Sequence, residues 1–345
     1  MANKYCPQFQ MGGTVGEGGW GRALVNENAC PWALLIEPPE GASPFEPVTQ
    51  IIARAWIGGD NIERQYTLAG EQGARDYYER LRPFYDVRRY VDVWQGPNEP
   101  FVGEVTFWRA LVDFTLELDR LMRGDDRTLA GGAFSVGWPL LDSKYLVDLL
   151  PMYQGCRYMI HHEYSAPRMQ NREGWHCLRY RKIYKALNDM SPFPLAPLFI
   201  GETGIDGGVA PVYRAKTGWK DYCPGGFSEY LEQLRWYGSE IAKDDYVVAA
   251  FPFVAGANQE WSRFDIDEPQ MQQVLSLDIA GGGRLPLPED ETATDAGTLC
   301  EKARWFLEEM ARQREVGNFK RADDIHYSLI ELLYRAERAA KAAGC

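Results

Sequence analysis

The sequence has little of what nucleic-acid-binding and metal-binding proteins require. No block of lysine and arginine supplies a basic face, and the net charge of −12 argues against a nucleic-acid partner. Only four histidines occur, and neither an H-E-x-x-H nor an H-x-H pattern is present. His161 and His162 are adjacent, so on a strand they point to opposite faces and are poorly placed to chelate one ion. We therefore expect no metal and no other cofactor.

Cysteine pairs and long apolar runs are also missing. The seven cysteines form no C-x-x-C pair, and their odd number favours reduced thiols over a disulfide framework. No apolar run approaches the roughly 18 residues that a membrane span needs, so we expect no membrane partner. Residues 1–7 contain no apolar signal segment, so the location is expected to be cytoplasmic by default, and extracellular if a signal precedes this sequence.

The sequence does contain a repeated alternation of short apolar runs with stretches of helical spacing. The runs number eight and cover residues 8–12, 32–36, 50–56, 91–95, 128–134, 157–162, 197–201 and 246–254. Strands that are buried on both faces read as such runs, so the pattern predicts an α/β protein with a (β/α)8 TIM barrel. An open, doubly wound sheet would need a G-x-G-x-x-G turn after the first run, and the glycines at 12, 13 and 16 miss that spacing.

The composition changes near residue 280, which predicts three parts. Residues 1–280 hold the predicted barrel, and residues 281–297 are rich in glycine, proline and acidic residues, as a linker would be. Residues 298–345 contain two helical stretches, which predict a helical hairpin as a C-terminal extension. Its apolar positions need a surface to cover. Docking onto the chain's own barrel is the favoured interpretation, and self-association through these helices is the alternative.

Two glutamates lie where predicted strands end. Glu99 follows the fourth run within Asn98-Glu99-Pro100, and Glu202 follows the seventh within Gly201-Glu202-Thr203. In a barrel the carboxyl ends of all strands surround one opening, so the two side chains are expected to face each other there. A protonated and an ionised carboxyl on opposite sides of a sugar are the groups that glycoside hydrolysis requires.

These motifs resemble those of the clan A glycoside hydrolases, the barrels also called the 4/7 superfamily. The resemblance implies that Glu99 is the general acid/base and Glu202 the nucleophile of a retaining glycosidase. It also implies a carbohydrate substrate, an oligosaccharide or polysaccharide joined through β-bonds. Further matches support it. His162 and Tyr164 are similar to the clan's His-x-Tyr, in which the tyrosine holds the nucleophile and the histidine lines the sugar site.

The resemblance assigns further residues to substrate binding. Asn98 is expected to contact the sugar 2-hydroxyl, and Trp261 resembles the clan's aromatic platform. The clan usually places an arginine near the nucleophile from the second strand, whereas the candidate here, Arg54, lies on the third. Trp56 shares a strand face with Arg54. Trp56 or Trp94 is expected to keep Glu99 protonated by excluding water from it.

Two other functions fit parts of the sequence. A catalytically silent sugar-binding barrel would keep the tryptophans and Asn98 without needing both carboxylates. A scaffold protein would act through the helical extension at 298–345. Both glutamates are present, which favours the enzyme.

Overall fold

The computed structural model describes residues 2–10, 14–16, 19–58, 60–100, 105–141, 143–209 and 217–280. In these ranges eight parallel strands pair in chain order and alternate with helices, which confirms the (β/α)8 barrel. The strands are β1 (Gln8–Gln10), β2 (Trp32–Ile36), β3 (Gln50–Arg54), β4 (Val93–Gln95), β5 (Leu129–Phe134), β6 (Tyr158–Ser165), β7 (Leu198–Ile205) and β8 (Val247–Pro252). The predicted linker at 281–297 and helical hairpin at 298–345 lie outside the described residues.

Among the described residues, helices occupy every connection between consecutive strands except that from β2 to β3, and one more helix follows β8. They are α1 (Trp20–Glu27), α2 (Asp60–Leu68), α3 (Gly70–Asp86), α4 (Val105–Gly124), α5 (Ser143–Gly155), α6 (Arg179–Met190), α7 (Trp219–Tyr222), α8 (Phe227–Ile241) and α9 (Glu268–Leu275). Within the described part of the chain, no helix combines the length and the apolar character needed to cross a bilayer.

The barrel is closed by hydrogen bonds between the chain's first residues and the strand β8 region. The Cys6 N–H donates to the Ala250 carbonyl at 3.0 Å, and the Ala250 N–H donates to the Lys4 carbonyl at 2.9 Å. Further along, the Ala255 N–H reaches the Gln8 carbonyl at 2.9 Å. Closure of this kind removes the exposed sheet edges on which other chains could pair.

Side chains alternate between two apolar layers. On β2, Ala33 and Leu35 face the helices, while Trp32, Leu34 and Ile36 face the barrel interior. At the amino-terminal end of the strands, Trp32 packs on Phe199 with ring centroids 4.8 Å apart and fills the interior. The opposite end of the barrel, where the strands' carboxyl ends meet, is left open as a cavity.

Candidate active site

Glu99 occupies a left-handed backbone conformation just beyond β4. Its φ angle is 43°, in a region that residues other than glycine rarely adopt and that costs on the order of 1–3 kcal/mol. The surrounding chain holds it there, since its N–H donates to the Ala133 carbonyl beyond the midpoint of β5 at 3.0 Å. Strain of this kind is concentrated at functional sites. The carboxylate is 32% exposed and reaches the mouth of the barrel.

Glu202 projects from strand β7 beside strand β6. The register pairs Glu202 with His162, and Tyr164 with Gly204. The Tyr164 hydroxyl donates to Glu202 Oε2 at 2.9 Å, and the glutamate side chain is 14% exposed. Gly204 has a φ angle of 151°, and a Cβ there would lie 2.5 Å from the Tyr230 hydroxyl, so a side chain at this position would disturb the strand that holds Glu202.

His162 connects the two glutamates. Its Nδ1 lies 2.9 Å from Glu99 Oε1 and 3.6 Å from Glu202 Oε2, so the two oxygens are separated by no more than the sum of these distances, about 6.5 Å. The side chain is fully buried. Burial opposes its charged form, but the charges of Glu202 and Glu99 raise the pKa of His162 above its ordinary value. The two carboxylates are therefore held together by a cationic or hydrogen-bonding group.

His161 faces the other way. Its Nε2 lies 2.7 Å from the Tyr153 hydroxyl of helix α5, and burial lowers its pKa to about 3, so it remains neutral. The described residues contain no group of three or more histidine, cysteine, aspartate or glutamate side chains that could hold a metal ion. The chemistry that the described groups themselves can supply is proton transfer and nucleophilic attack by carboxylates.

The two carboxylates line a cavity of about 650 Å³, which is in the size range of small-ligand sites. The structure places most of the predicted binding residues on its wall. The cavity is lined by Asn98, Arg54, Trp56, Tyr164 and Trp261 together with Glu99 and Glu202. His162 touches both carboxylates from inside the barrel.

Two aromatic side chains stand at the cavity. Trp56 is 59% exposed, unusually open for a tryptophan, and its backbone N–H donates to the Glu37 carboxylate. Trp261 packs edge-to-face on Phe253 and Phe264, with ring centroids 5.3 and 5.8 Å away. Aromatic faces held in this way are suited to packing against the apolar face of a ring.

Arg54 ends strand β3, as the count of apolar runs predicts. Its Nε is buried and has no hydrogen-bond partner among the described residues. Arg54 lines the same cavity as the two glutamates, and its charge opposes protonation of His162.

Asn98 is fixed from two sides, since its N–H donates to the Glu63 carboxylate and its Oδ1 accepts from Gln95 Nε2 at 3.2 Å.

The expectation for Trp94 is wrong. Its side chain faces the helices and packs on Tyr85 at 4.5 Å and on Phe84 at 5.9 Å, so it cannot exclude water from Glu99. On β4 the neighbouring Val93 and Gln95 face the interior instead. A three-residue strand offers too little alternation for sequence reasoning to decide which residues point inward.

Five further polar residues line the cavity and were not predicted, namely Gln10, Glu37, Asp206, Asn258 and Glu260. Three of these lie at the carboxyl ends of strands. Gln10 ends β1, Glu37 follows the last residue of β2, and Asp206 follows the last residue of β7. The rule that identified Glu99 and Glu202, a polar residue at a strand's carboxyl end, applies equally to these positions. Burial, with the charges of Glu99 and Glu202, raises the pKa of Asp206 to about 6, although the Gly208 N–H donates to it at 2.7 Å.

No protein-family model and no curated protein matches the sequence. Similar solved structures include a family 128 (subgroup I) endo-β-1,3-glucanase of Amycolatopsis mediterranei in complex with laminarihexaose, at 10% identity and a TM-score of 0.45, covering 79% of this chain and 98% of that one. A family 5 glycoside hydrolase of Prevotella bryantii is 11% identical with a TM-score of 0.48, covering 79% and 95%. Similarities this low do not bear on the reaction, which the chain's own geometry must decide.

Proposed function

We propose that the chain is a glycoside hydrolase that cleaves O-glycosidic bonds of the β configuration in an oligosaccharide or polysaccharide. The observation that carries this proposal is the pair of carboxylates, Glu99 and Glu202, whose nearest oxygens lie within about 6.5 Å of each other through His162 at the mouth of the barrel. A sugar-sized cavity that is lined by the exposed Trp56 and the half-buried Trp261 opens directly onto the pair.

The reaction assigns one role to each glutamate. A Glu202 oxygen attacks the anomeric carbon while Glu99 gives its proton to the leaving oxygen, which forms a glycosyl-enzyme ester and releases the first product. Glu99, now ionised, takes a proton from a water molecule that attacks the same carbon. The ester bond to Glu202 then breaks, and both carboxyls return to their starting states.

The bound on the distance between the two facing carboxylate oxygens agrees with a retaining mechanism. Retaining enzymes hold their two carboxyl groups about 5–5.5 Å apart, whereas inverting enzymes leave about 6.5–9.5 Å for a water molecule. The upper bound set by His162 reaches only the lower edge of the inverting range. The Tyr164 hydroxyl donates to Glu202 and so stabilises the anion that must attack.

The remaining residues serve substrate binding in this proposal. Asn98 faces the cavity beside the acid/base, where its amide can contact a sugar hydroxyl. Arg54 and His162 lie beside the carboxylates, and Trp56 and Trp261 offer ring faces to the substrate. The substrate itself, its sugars and its length depend on details of the cavity wall beyond these contacts.

Substitution of Glu202 tests the proposal. After a screen of aryl β-glycosides and polysaccharides identifies a substrate, Glu202→Gln should lower kcat by ~10⁴-fold or more, because glutamine cannot form the ester intermediate. Glu232→Gln, on the exposed surface of helix α8, is the matched control and should keep full activity. Circular dichroism should show that both variants stay folded.

Chemical trapping tests the nucleophile directly. A 2-fluoro glycoside of the active sugar with a good leaving group should leave one sugar attached to the peptide that contains Glu202, detected by mass spectrometry. Attachment elsewhere would refute the assignment. Oligosaccharide binding without hydrolysis of any glycoside would instead indicate the silent sugar-binding barrel.

A further inference from the structure

The cavity carries more negative charge than the reaction needs. Besides the catalytic pair, the side chains of Glu37, Asp206 and Glu260 line its wall. Arg54 is the single lysine or arginine on the part of the wall that the structure describes. His162, the other nearby basic group, is already engaged by the two catalytic carboxylates. At pH values above about 6, where Asp206 is ionised, three surplus carboxylates therefore face any bound substrate, opposed by one guanidinium.

Asp206 is fixed in place by the backbone. Its N–H donates to the Ser165 carbonyl at the end of β6 at 3.2 Å, and its Oδ1 accepts from the Gly208 N–H at 2.7 Å. The charges of Glu99 and Glu202 both act on it, which places the three carboxyl groups within electrostatic reach of one another. These two hydrogen bonds orient the Asp206 carboxylate on the cavity wall.

Unpaired polar atoms on the cavity-lining residues favour a polar ligand that can both donate and accept hydrogen bonds. Gln10 Oε1 and Arg54 Nε belong to cavity-lining residues, are buried, and have no hydrogen-bond partner in the described ranges. Buried polar atoms are almost always hydrogen-bonded in proteins. One is an acceptor and the other a donor, and a sugar hydroxyl can satisfy either.

Together these features define the class of substrate. On the basis of the glycosidase function proposed above, we propose that Asp206 and Glu260 make the cavity select sugars without negative charge and reject uronic acids and sulfated sugars. The hydroxyl groups of a neutral sugar donate hydrogen bonds to the surplus carboxylates. An anionic sugar instead faces several like charges in a partly buried space, and unfavourable pairing of this kind is how specific sites exclude the wrong ligand.

Matched substrates that differ in charge test the selection. The first pair is an aryl β-glycoside that the enzyme cleaves and the corresponding uronide. The second pair consists of two derivatives of one polysaccharide, one with neutral hydroxyethyl groups and one with anionic carboxymethyl groups. We expect kcat/KM to be about ten-fold or more higher for the neutral member of each pair. Raising NaCl from about 0.05 M to about 0.5 M should narrow this ratio, because salt screens the repulsion.

Substitutions test whether Asp206 and Glu260 cause the preference for neutral sugars. The double variant Asp206→Asn, Glu260→Gln should bring the neutral-to-anionic ratio of kcat/KM down by about ten-fold, whatever happens to the absolute rates. The control Asp189→Asn, Glu232→Gln makes the same chemical and charge changes at exposed positions on α6 and α8, and it should leave the ratio unchanged.

Each outcome separates the two proposals. Equal or faster turnover of the anionic member by the unsubstituted enzyme overturns the charge selection and leaves the glycosidase function standing. An equal change of the ratio in the control double variant also overturns it, because net charge and not the cavity wall would then be responsible. Failure to cleave either member of any pair, in a screen that covers many sugars, counts against the glycosidase function itself.

Discussion

Glu99 has a backbone conformation that glycine would adopt more easily. Glu37, which also lines the cavity, is left-handed as well, with a φ angle of 56°. Neither position is a glycine, although glycine would adopt these angles without steric cost. The chain therefore keeps a carboxylate at two cavity positions where glycine would be sterically easier.

We predict that Glu99→Ala separates substrates by the quality of their leaving group. Glycosides with a poor, alkyl-type leaving group should lose about 10²–10⁴-fold in kcat/KM, because their departing oxygen needs a proton. Glycosides with a strongly acidic phenol as leaving group need no proton in the first step and should lose far less. The measurement is kcat/KM across a series of leaving groups.

The control for this series is Glu79→Ala. Glu79 is an exposed glutamate on helix α3, away from the cavity lining, and its variant should show the same dependence on the leaving group as the unsubstituted enzyme. An equal loss for good and poor leaving groups in Glu99→Ala would show that Glu99 has another role.

Among the secondary-structure elements, strand β6 presents active-site residues on its inward face and a buried glutamate that binds helix α6 on its outward face. His162 and Tyr164 face inward to the carboxylates, while Glu163 between them faces the helices and is buried. Glu163 accepts from the N–H groups of Leu178 at 2.6 Å and Tyr180 at 3.0 Å, at the start of α6. One carboxylate thus ties the catalytic strand to the amino-terminal end of a helix, where its charge is favoured.

We predict that Glu163→Gln lowers the free energy of unfolding by about 1–3 kcal/mol, since an amide cannot accept all of these hydrogen bonds. The Tyr237 hydroxyl of α8 adds a further bond at 2.6 Å. Displacement of His162 and Tyr164 should reduce kcat more than it changes KM. Denaturant unfolding and steady-state kinetics measure the two effects.

The same variant has an expected pH dependence. Burial raises the pKa of Glu163 to about 7, against the opposing hydrogen bonds from Tyr237, Tyr180 and Leu178. Because the folded pKa lies above that of the unfolded chain, folding takes up a proton, and this contribution to stability is lost as the pH rises from about 4.3 through 7. Glutamine does not titrate, so the stability gap between the two proteins should widen from pH 8 to pH 5. A constant gap would show that Glu163 does not titrate in this range.

The sequence predicts the strands well and their inward faces poorly. All eight apolar runs became strands, because a strand covered on both sides must be apolar throughout, whatever its phase. That same uniformity conceals which residues point inward, as Trp94 illustrates. Short helices such as α1 (Trp20–Glu27) and α9 (Glu268–Leu275) were not predicted, since eight residues give barely two turns of periodicity.

At the scale of the whole molecule, the site depends on barrel closure. Glu99 and Glu202 are distant in the chain, and the common rule that strand ends share one mouth was enough to predict that they meet. The bridging position of His162 could not be predicted, because it depends on a register shift between β6 and β7 beside His162. The negative charge of the cavity likewise emerges only when the carboxyl ends of β2, β4, β7 and β8 surround one opening.

The hydrogen bonds that close the barrel predict that residues 281–345 are not needed for folding. Asn3 donates to the Val274 and Leu275 carbonyls at 2.9 and 3.1 Å, and Lys4 to the Asp244 and Val247 carbonyls at 2.7 and 2.6 Å. Every contact described for the site and for closure thus lies within residues 2–280. A chain ending at residue 280 should therefore fold and keep kcat/KM within about two-fold, since the truncation removes none of these contacts.

Sedimentation of the full and shortened chains tests the two interpretations of residues 298–345. If the helical hairpin only docks on its own barrel, both chains should be monomers and the shortened one should melt a few degrees lower, in proportion to the lost apolar burial. If it mediates self-association, the full chain alone should sediment as an oligomer. A shortened chain that fails to fold, with residues 2–280 intact, would contradict the view that the barrel is complete without the C-terminal part.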